Sequence, residues 1–192
     1  MNPIVECVPN ISEGRDRKVL DAVAAAVEAV DGVRLLDMDP GQATHRTVFT
    51  FVGAPDAVKE AAFQLVKTTQ SLVDMRKHSG EHPRQGATDV CPFVPVRDCT
   101  LEDCAGWARE VGQRIGNELG IPVYLYGEAG TSEERKKLAF VRAGEYDGLE
   151  AKLAAGKVMP DFGPEAWSES VARSGATQVG ARPFLIAYNV TL

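Results

Sequence analysis

The sequence has no long apolar run, no signal-like start and no excess of positive charge. None of its 192 residues belongs to a stretch near the roughly 20 apolar residues of a membrane span, and the first residues lack the basic-then-apolar order of a signal peptide. Lys and Arg total 21 against 27 Asp and Glu, a formal charge of -6, which argues against a nonspecific phosphate-binding surface but not against a local basic pocket. We therefore expect a cytoplasmic protein without a membrane or nucleic-acid partner.

Cysteine and histidine are also scarce. The sequence contains four cysteines: Cys7, Cys91, Cys99 and Cys104. They show no CxxC spacing and have mainly apolar neighbours, which is typical of reduced thiols in a cytosolic core. No phosphate-binding glycine motif and no metal-spaced histidine pair with a carboxylate is convincing. We therefore expect no bound metal, and we look for the chemistry in loops.

Hydrophobic periodicity predicts the order βαββαβ in the first half of the chain. The predicted strands cover residues 4–8, 33–38, 47–52 and 90–96, and the predicted helices cover residues 16–29 and 55–73. Two prolines, Pro92 and Pro95, place the last of these strands at a sheet edge or in an irregular ladder. This order indicates an α+β fold, a ferredoxin-like two-layer α/β sandwich with its helices on one face of the sheet.

The second half adds one helix–strand unit and then becomes less regular. A helix from Thr100 to Leu119 and a strand from Ile121 to Tyr126 extend the sandwich. Residues 128–174 show short helices and loops, which is typical of a segment that wraps a domain or lines a site. The apolar residues 182–192 are a strong strand candidate with no following helix to cover them, so this strand needs a partner.

The most informative stretch is the loop at residues 77–89, which holds two of the three histidines. Histidine titrates near ~6.5, so at neutral pH an imidazole can both accept and return a proton. His82 has glycines on either side that permit close approach of a ligand, whereas His78 abuts a helix end and is interpreted as a C-cap. A metal at this pair would need a third ligand, His45 or Asp89, and nothing in the spacing demands one.

A second polar group lies between two predicted strands. Asp39 could orient a histidine or hold a cationic group, or it could form an ordinary Asx-type turn. Arg46 could clamp a substrate carboxylate, or remain a solvated charge at a strand edge. Residues 10–13 are equally open between ligand contacts and capping, and residues 142–146 fit plain turns better.

Several long segments resemble the amino-terminal subdomain of the glutamate formimidoyltransferase (formiminotransferase) family, along essentially the whole chain. The most specific are VECVPNISEG at residues 5–14, GEHPR at 80–84, VYLYG at 123–127, and GAR followed by FLIAYN within 180–189. The resemblance implies an enzyme that transfers the formimidoyl group of N-formimidoyl-L-glutamate to N5 of its co-substrate tetrahydrofolate, in histidine degradation. It assigns residues 1–178 to the amino-terminal subdomain and residues 179–192 to the first strand of a C-terminal subdomain.

The resemblance also assigns site residues. It implies that His82 is the catalytic residue, and in our mechanism its imidazole acts as the base. From the chemistry of the residues, Asp39 is the candidate that orients His82 or balances a cationic amidine, and Arg46 or Arg84 is the candidate that binds a substrate carboxylate. The family's folate-contacting stretch corresponds to Gly163, Pro164, Glu165, Ala166, Trp167, Ser168, Glu169, Ser170, Val171 and Ala172.

In the family, a second subdomain follows and the folate cleft lies between the two. We therefore expect the site to be completed by a C-terminal subdomain in cis, by a separate chain, or by association of copies into a homo-oligomer. Two alternatives stay open. One is glutamate formyltransferase activity with the same site, and the other is a non-catalytic folate-binding module.

Overall fold

Seven strands form one sheet in the computed structural model, which describes residues 2–185. They are β1 (Ile4–Cys7), β2 (Asn10–Ile11), β3 (Val33–Gly41), β4 (Arg46–Gly53), β5 (Thr88–Arg97), β6 (Val123–Gly127) and β7 (Thr177–Ala181). Both β1 and β2 pair with β4 and with β5, so they occupy one position in the sheet. The order across the sheet is β3, β4, β1 with β2, β5, β7, β6, and β7 is parallel to both its neighbours.

Six α-helices occur in the described residues: α1 (Arg17–Glu28), α2 (Pro55–Leu72), α3 (Leu101–Arg114), α4 (Leu138–Val141), α5 (Leu149–Ala155) and α6 (Glu169–Ser174). The three helices predicted from periodicity are thereby confirmed. The side chain of Asp16 accepts a hydrogen bond from the Lys18 N–H and starts α1, and a reciprocal capping box between Thr100 and Asp103 starts α3. None of the described helices is long and apolar enough to cross a membrane.

The main core lies between one face of the sheet and α1, α2 and α3. Alternate residues of the central strands, such as Cys7, Phe51 and Phe93, are fully buried against helix residues such as Val23 and Leu65. The period of two along each strand therefore sends one set of side chains into this core and leaves the other set on the opposite face. The predicted α+β sandwich of helices packed on a sheet is confirmed at this level.

Within residues 2–185, helices cover the opposite face at one end only, which corrects the prediction of helices on a single face. Tyr124 and Tyr126 of β6 pack there against Val141, Leu149 and Val171, which belong to α4, α5 and α6. The irregular segment predicted to wrap the domain does so over β6 and β7. The rest of this face, over β4, β2 and β5, is not covered by these helices.

The two prolines of β5 do not mark a sheet edge. β5 lies between β1 with β2 on one side and β7 on the other, so the edge alternative was wrong and the irregular ladder is what the structure shows. Register shifts interrupt the ladder at two points, and the carbonyl of Pro92 accepts a hydrogen bond from the Val8 N–H. A proline is tolerated here because its carbonyl still pairs, although it has no N–H to donate.

β7 crosses the boundary expected after residue 178. Residues 177–181 all pair within this sheet, and Val179 and Ala181 are fully buried in its main core. Residues 179–181 therefore belong to the same packing unit as the preceding chain. Most of the strand expected at the apolar end, residues 186–192, lies outside the described residues.

Candidate active site

A cleft of about 580 Å³ lies on the uncovered part of the second sheet face. Its volume falls within the roughly 300–1,000 Å³ of small-molecule sites. Apolar side chains line part of it: Val8, Val48, Val90, Pro92 and Leu138. Four cationic side chains also line it: Arg46, Lys136, Arg142 and Arg182. In a chain of formal charge -6, four cations around one cleft indicate a site for an anionic ligand.

His82 lines this cleft as a half-buried imidazole. Its Nδ1 lies 2.6 Å from the carbonyl oxygen of Pro83. A carbonyl can only accept, so Nδ1 carries the proton and Nε2 keeps a free lone pair, for which the described residues provide no partner. Burial first, and then the charge of Arg46, lower the pKa of His82 below its ordinary value. The ring is therefore a neutral base at neutral pH.

The loop that carries His82 is anchored by the two other histidines. His78 Nε2 donates to the carbonyl of His45 at 2.9 Å, and His45 Nδ1 donates to the carbonyl of Ser79 at 2.9 Å. The two rings stack with centroids 4.2 Å apart. Gly80 packs so closely that a Cβ there would lie 2.5 Å from the carbonyl oxygen of Thr44. The expected helix-end role of His78 is confirmed, since its backbone N–H donates to the carbonyl of Met75 and caps a short 3-10 helix, Met75–Lys77.

The Glu13 carboxylate binds both His45 and the backbone that follows Glu13. Its Oε1 accepts hydrogen bonds from the N–H groups of Gly14, Arg15 and Asp16, and His45 Nε2 lies 3.2 Å away. Burial acts against the charged carboxylate, but these N–H groups and His45 outweigh it and lower the pKa of Glu13. The Glu13 carboxylate therefore has a structural role, because its hydrogen bonds hold this turn.

Within residues 2–185 no group of three or more His, Cys, Asp or Glu side chains is arranged to hold a metal.

Arg46 begins β4 and enters the cleft. Its Nε donates to Asn10 Oδ1 at 2.6 Å, so one edge of the guanidinium is fixed. Burial, aided by the charge of Arg142, lowers its pKa. Asp39 lies opposite Val48 in the β3–β4 ladder and so shares the cleft face, but it is exposed. It makes no hydrogen bond to His82 within the described chain, and the Pro83 carbonyl holds the ring instead.

Asp89 is the buried acid of the site, and a β-bulge places it there. β2 pairs with Val90 and then with Thr88, so Asp89 is the extra residue of β5. Its carboxylate accepts the Gln85 N–H at 2.8 Å and Arg142 Nη1 at 2.5 Å. Burial raises the pKa of Asp89, and Arg142 only partly offsets this. The pair ties the histidine loop to the end of α4.

Arg84 belongs to the same loop as His82 but is not among the residues that line the cleft. Its Nη1 is 2.9 Å from an Asp147 carboxylate oxygen, and its Nε is 3.4 Å from His78 Nδ1. The guanidinium also lies 5.7 Å from the centroid of the Tyr146 ring. In this arrangement Arg84 joins the histidine loop to the segment after α4.

None of the ten residues from Gly163 to Ala172 lines this cleft. The Trp167 ring lies 6.2 Å from the Tyr146 ring, and Ser168 caps α6 by accepting the Val171 N–H. Glu169 forms an exposed ion pair with Arg76. Gly163 has φ +83 and packs against the carbonyl of Ile121, a conformation that favours glycine. The contacts of this stretch in the structure are therefore with other parts of the fold.

Several cleft residues were not predicted from sequence. Lys136 carries no recognisable pattern, and Arg142 belongs to residues 142–146, which fit a plain turn better than a site. Asp89 was considered only as a metal ligand. A signal existed for Arg182, because a charged residue directly after a strand often lies at a sheet edge near a ligand.

A basic cleft beside a neutral imidazole with one free nitrogen is a class of site suited to acid–base chemistry on an anionic ligand. Comparison with known proteins gives the particular family. The description "Formiminotransferase domain, N-terminal subdomain" matches residues 4–182, and the chain belongs to this family.

The chain is similar to relatives that are longer than itself. It is 53% identical over 192 residues to "Formimidoyltransferase-cyclodeaminase" of Dictyostelium discoideum, of which it covers 35%. It is 50% identical over 192 residues to the protein of the same name from Rattus norvegicus, again covering 35%. It is 46% identical over 192 residues to "Glutamate formimidoyltransferase" of Streptococcus pyogenes serotype M1, covering 63%. All of this chain is matched in each case, but it spans less than two thirds of each relative.

Proposed function

We propose that this chain is the histidine-bearing part of a glutamate formimidoyltransferase. The reaction moves the formimidoyl group from N-formimidoyl-L-glutamate to N5 of tetrahydrofolate, in histidine degradation. The observation that carries the proposal is His82, with Nδ1–H held by the Pro83 carbonyl and Nε2 free in a basic cleft. The printed names of the relatives support the same activity.

His82 serves both halves of this transfer. N5 of tetrahydrofolate attacks the carbon of the nitrogen-protonated amidine, and a new C–N bond forms. Nε2 of His82 takes the proton of N5 as the tetrahedral intermediate appears. The imidazolium then returns that proton to the glutamate nitrogen, whose bond to the carbon breaks, and glutamate leaves. A neutral resting ring is required for the first step, and the lowered pKa of His82 supplies it at neutral pH.

The cations of the cleft fit the substrates. The donor carries two carboxylates and a cationic amidine, and tetrahydrofolate carries the carboxylates of its glutamate tail. Arg46 has one edge fixed by Asn10 and its remaining N–H groups available for a carboxylate. Asp39, at the exposed side of the same face, would balance the amidine. Arg84 and the stretch from Gly163 to Ala172 remain predicted contacts for substrate and folate, to be tested by substitution.

The uncovered sheet face favours a second subdomain over the cleft. A site open to water on one side binds and orients two reactants poorly, so a C-terminal subdomain in cis or on a separate chain would complete it. A homo-oligomer is the other way to close the face.

We also propose that the unit β1–α1–β3–β4–α2–β5, with strand order β3, β4, β1, β5, is ferredoxin-like.

The direct test is transfer by this chain in the presence of a complementing C-terminal subdomain. Turnover of N-formimidoyl-glutamate with tetrahydrofolate, and much slower turnover of N-formyl-glutamate, would support the proposal. Preference for the formyl compound would identify a formyltransferase. Binding of tetrahydrofolate without product from either donor would favour a non-catalytic folate-binding module.

A further inference from the structure

Two guanidinium groups from different elements line the cleft together with His82. Arg46 comes from the start of β4 and Arg142 from the end of α4, and both line the cleft. The positive charges of both lower the pKa of His82, as expected of cations that line the same cleft as the imidazole. Lys136, another cation of the cleft, is instead ion-paired with Glu133 at 2.8 Å.

Each of these two guanidiniums is fixed along one edge and free along the rest. Asn10 holds Nε of Arg46, and Asp89 holds Nη1 of Arg142. Asp89 is itself held by the Gln85 N–H and is 1% exposed, so the Arg142 group is anchored to a rigid acceptor. The described residues offer no acceptor to Nε or Nη2 of Arg142. A guanidinium fixed in this way loses little conformational freedom when it binds a carboxylate.

We propose that Arg142 binds the side-chain carboxylate of the formimidoyl amino acid and thereby selects a dicarboxylic donor. The inference rests on the proposed function. The donor has two carboxylates, and the site has two fixed guanidiniums beside its base, so Arg46 takes the other one. Asp89 is the positioning residue, because it holds Arg142 and, through Gln85, the loop of His82.

The test uses this chain with its complementing C-terminal subdomain and two variants. Arg142→Gln removes the cation, and the double variant Asp89→Asn with Arg142→Gln also removes the buried charge that the first would leave unpaired. Glutarate and butyrate are compared as inhibitors competing with the donor, since they differ by one carboxylate. The KM for N-formimidoyl-glutamate and the KM for tetrahydrofolate are measured alongside.

In both variants we expect the glutarate inhibition constant and the donor KM to rise roughly 10- to 100-fold, which is the size of a charge-assisted hydrogen bond. Butyrate inhibition should change by less than about 3-fold. Equal weakening of both inhibitors, no weakening of either, or a rise confined to the KM for tetrahydrofolate would overturn the inference. Absence of any transfer by the unmodified protein would overturn both the proposed function and this inference. Normal transfer by the unmodified protein, with variants whose inhibition constants and donor KM do not change, would overturn this inference alone.

Discussion

Asp89→Ala should lower the free energy of unfolding by about 3 kcal/mol, because it breaks a buried ion pair. The Asp89 side chain is 1% exposed and accepts the Gln85 N–H at 2.8 Å and Arg142 Nη1 at 2.5 Å. An alanine side chain accepts neither hydrogen bond. The backbone N–H of Gln85, a fully buried residue, therefore loses its acceptor.

The magnitude follows from the two lost bonds. A buried N–H without an acceptor costs about 1–3 kcal/mol. The Arg142 side chain is 19% exposed and can turn toward solvent, so its loss adds only about 1 kcal/mol. Burial raises the pKa of Asp89, and the cost of desolvating the carboxylate offsets part of what the pair contributes. At about 2–4 °C per kcal/mol for a chain of this size, Tm should fall by roughly 6–12 °C.

Urea unfolding followed by circular dichroism measures this loss, and Asp147→Ala is the matched control. Asp147 is also an aspartate paired with an arginine, Arg84, but its side chain is 76% exposed. An exposed pair of this kind is worth about 0–1 kcal/mol, so the control should unfold almost as the unmodified chain does. Equal losses in the two variants would refute the assignment of Asp89 as a buried anchor.

Three further changes test separate parts of the structure. Arg46→Gln removes a cation that lowers the pKa of His82, so that pKa and the acid limb of the pH–rate profile should both move upward; an unchanged NMR titration of the ring would contradict this. Thr100→Ala removes the capping box of α3 and should cost about 1–2 kcal/mol in urea unfolding, with Thr100→Ser near neutral. Gly163→Ala places a methyl group against a backbone carbonyl at positive φ and should cost clearly more than about 1 kcal/mol in urea unfolding. Gly156 also has a positive φ but open space around the position of a Cβ, so Gly156→Ala should cost less.

Elements with one buried face could be predicted from sequence. Periodicity predicts α1, α2 and α3 because each turns a single apolar stripe toward the sheet. An acid at the N-cap of α1, and acids in the first turns of α2 and α3, indicate where these helices begin. The strand predicted at residues 47–52 was equally clear, because this segment is rich in β-branched and aromatic residues, and it lies within β4. These features are local, so the sequence contains them.

Features that depend on tertiary pairing could not be predicted. The prolines of β5 indicate either a sheet edge or an irregular ladder, and the sequence does not choose between them. The interrupted partner formed by β1 and β2 explains how a central strand tolerates them. The contact of Asp89 with Arg142 joins residues 53 positions apart and needs a bulge in β5, which no spacing rule shows. His82 was singled out because its residue type and loop position already suggest chemistry.

The central claim is that the free nitrogen of His82 carries the proton between the two amines. Its most direct test is kcat for formimidoyl transfer by His82→Ala, with the complementing C-terminal subdomain present and unfolding measured in parallel. We predict a fall of about 10²–10⁴-fold at unchanged stability. Transfer at the rate of the unmodified protein would contradict the account.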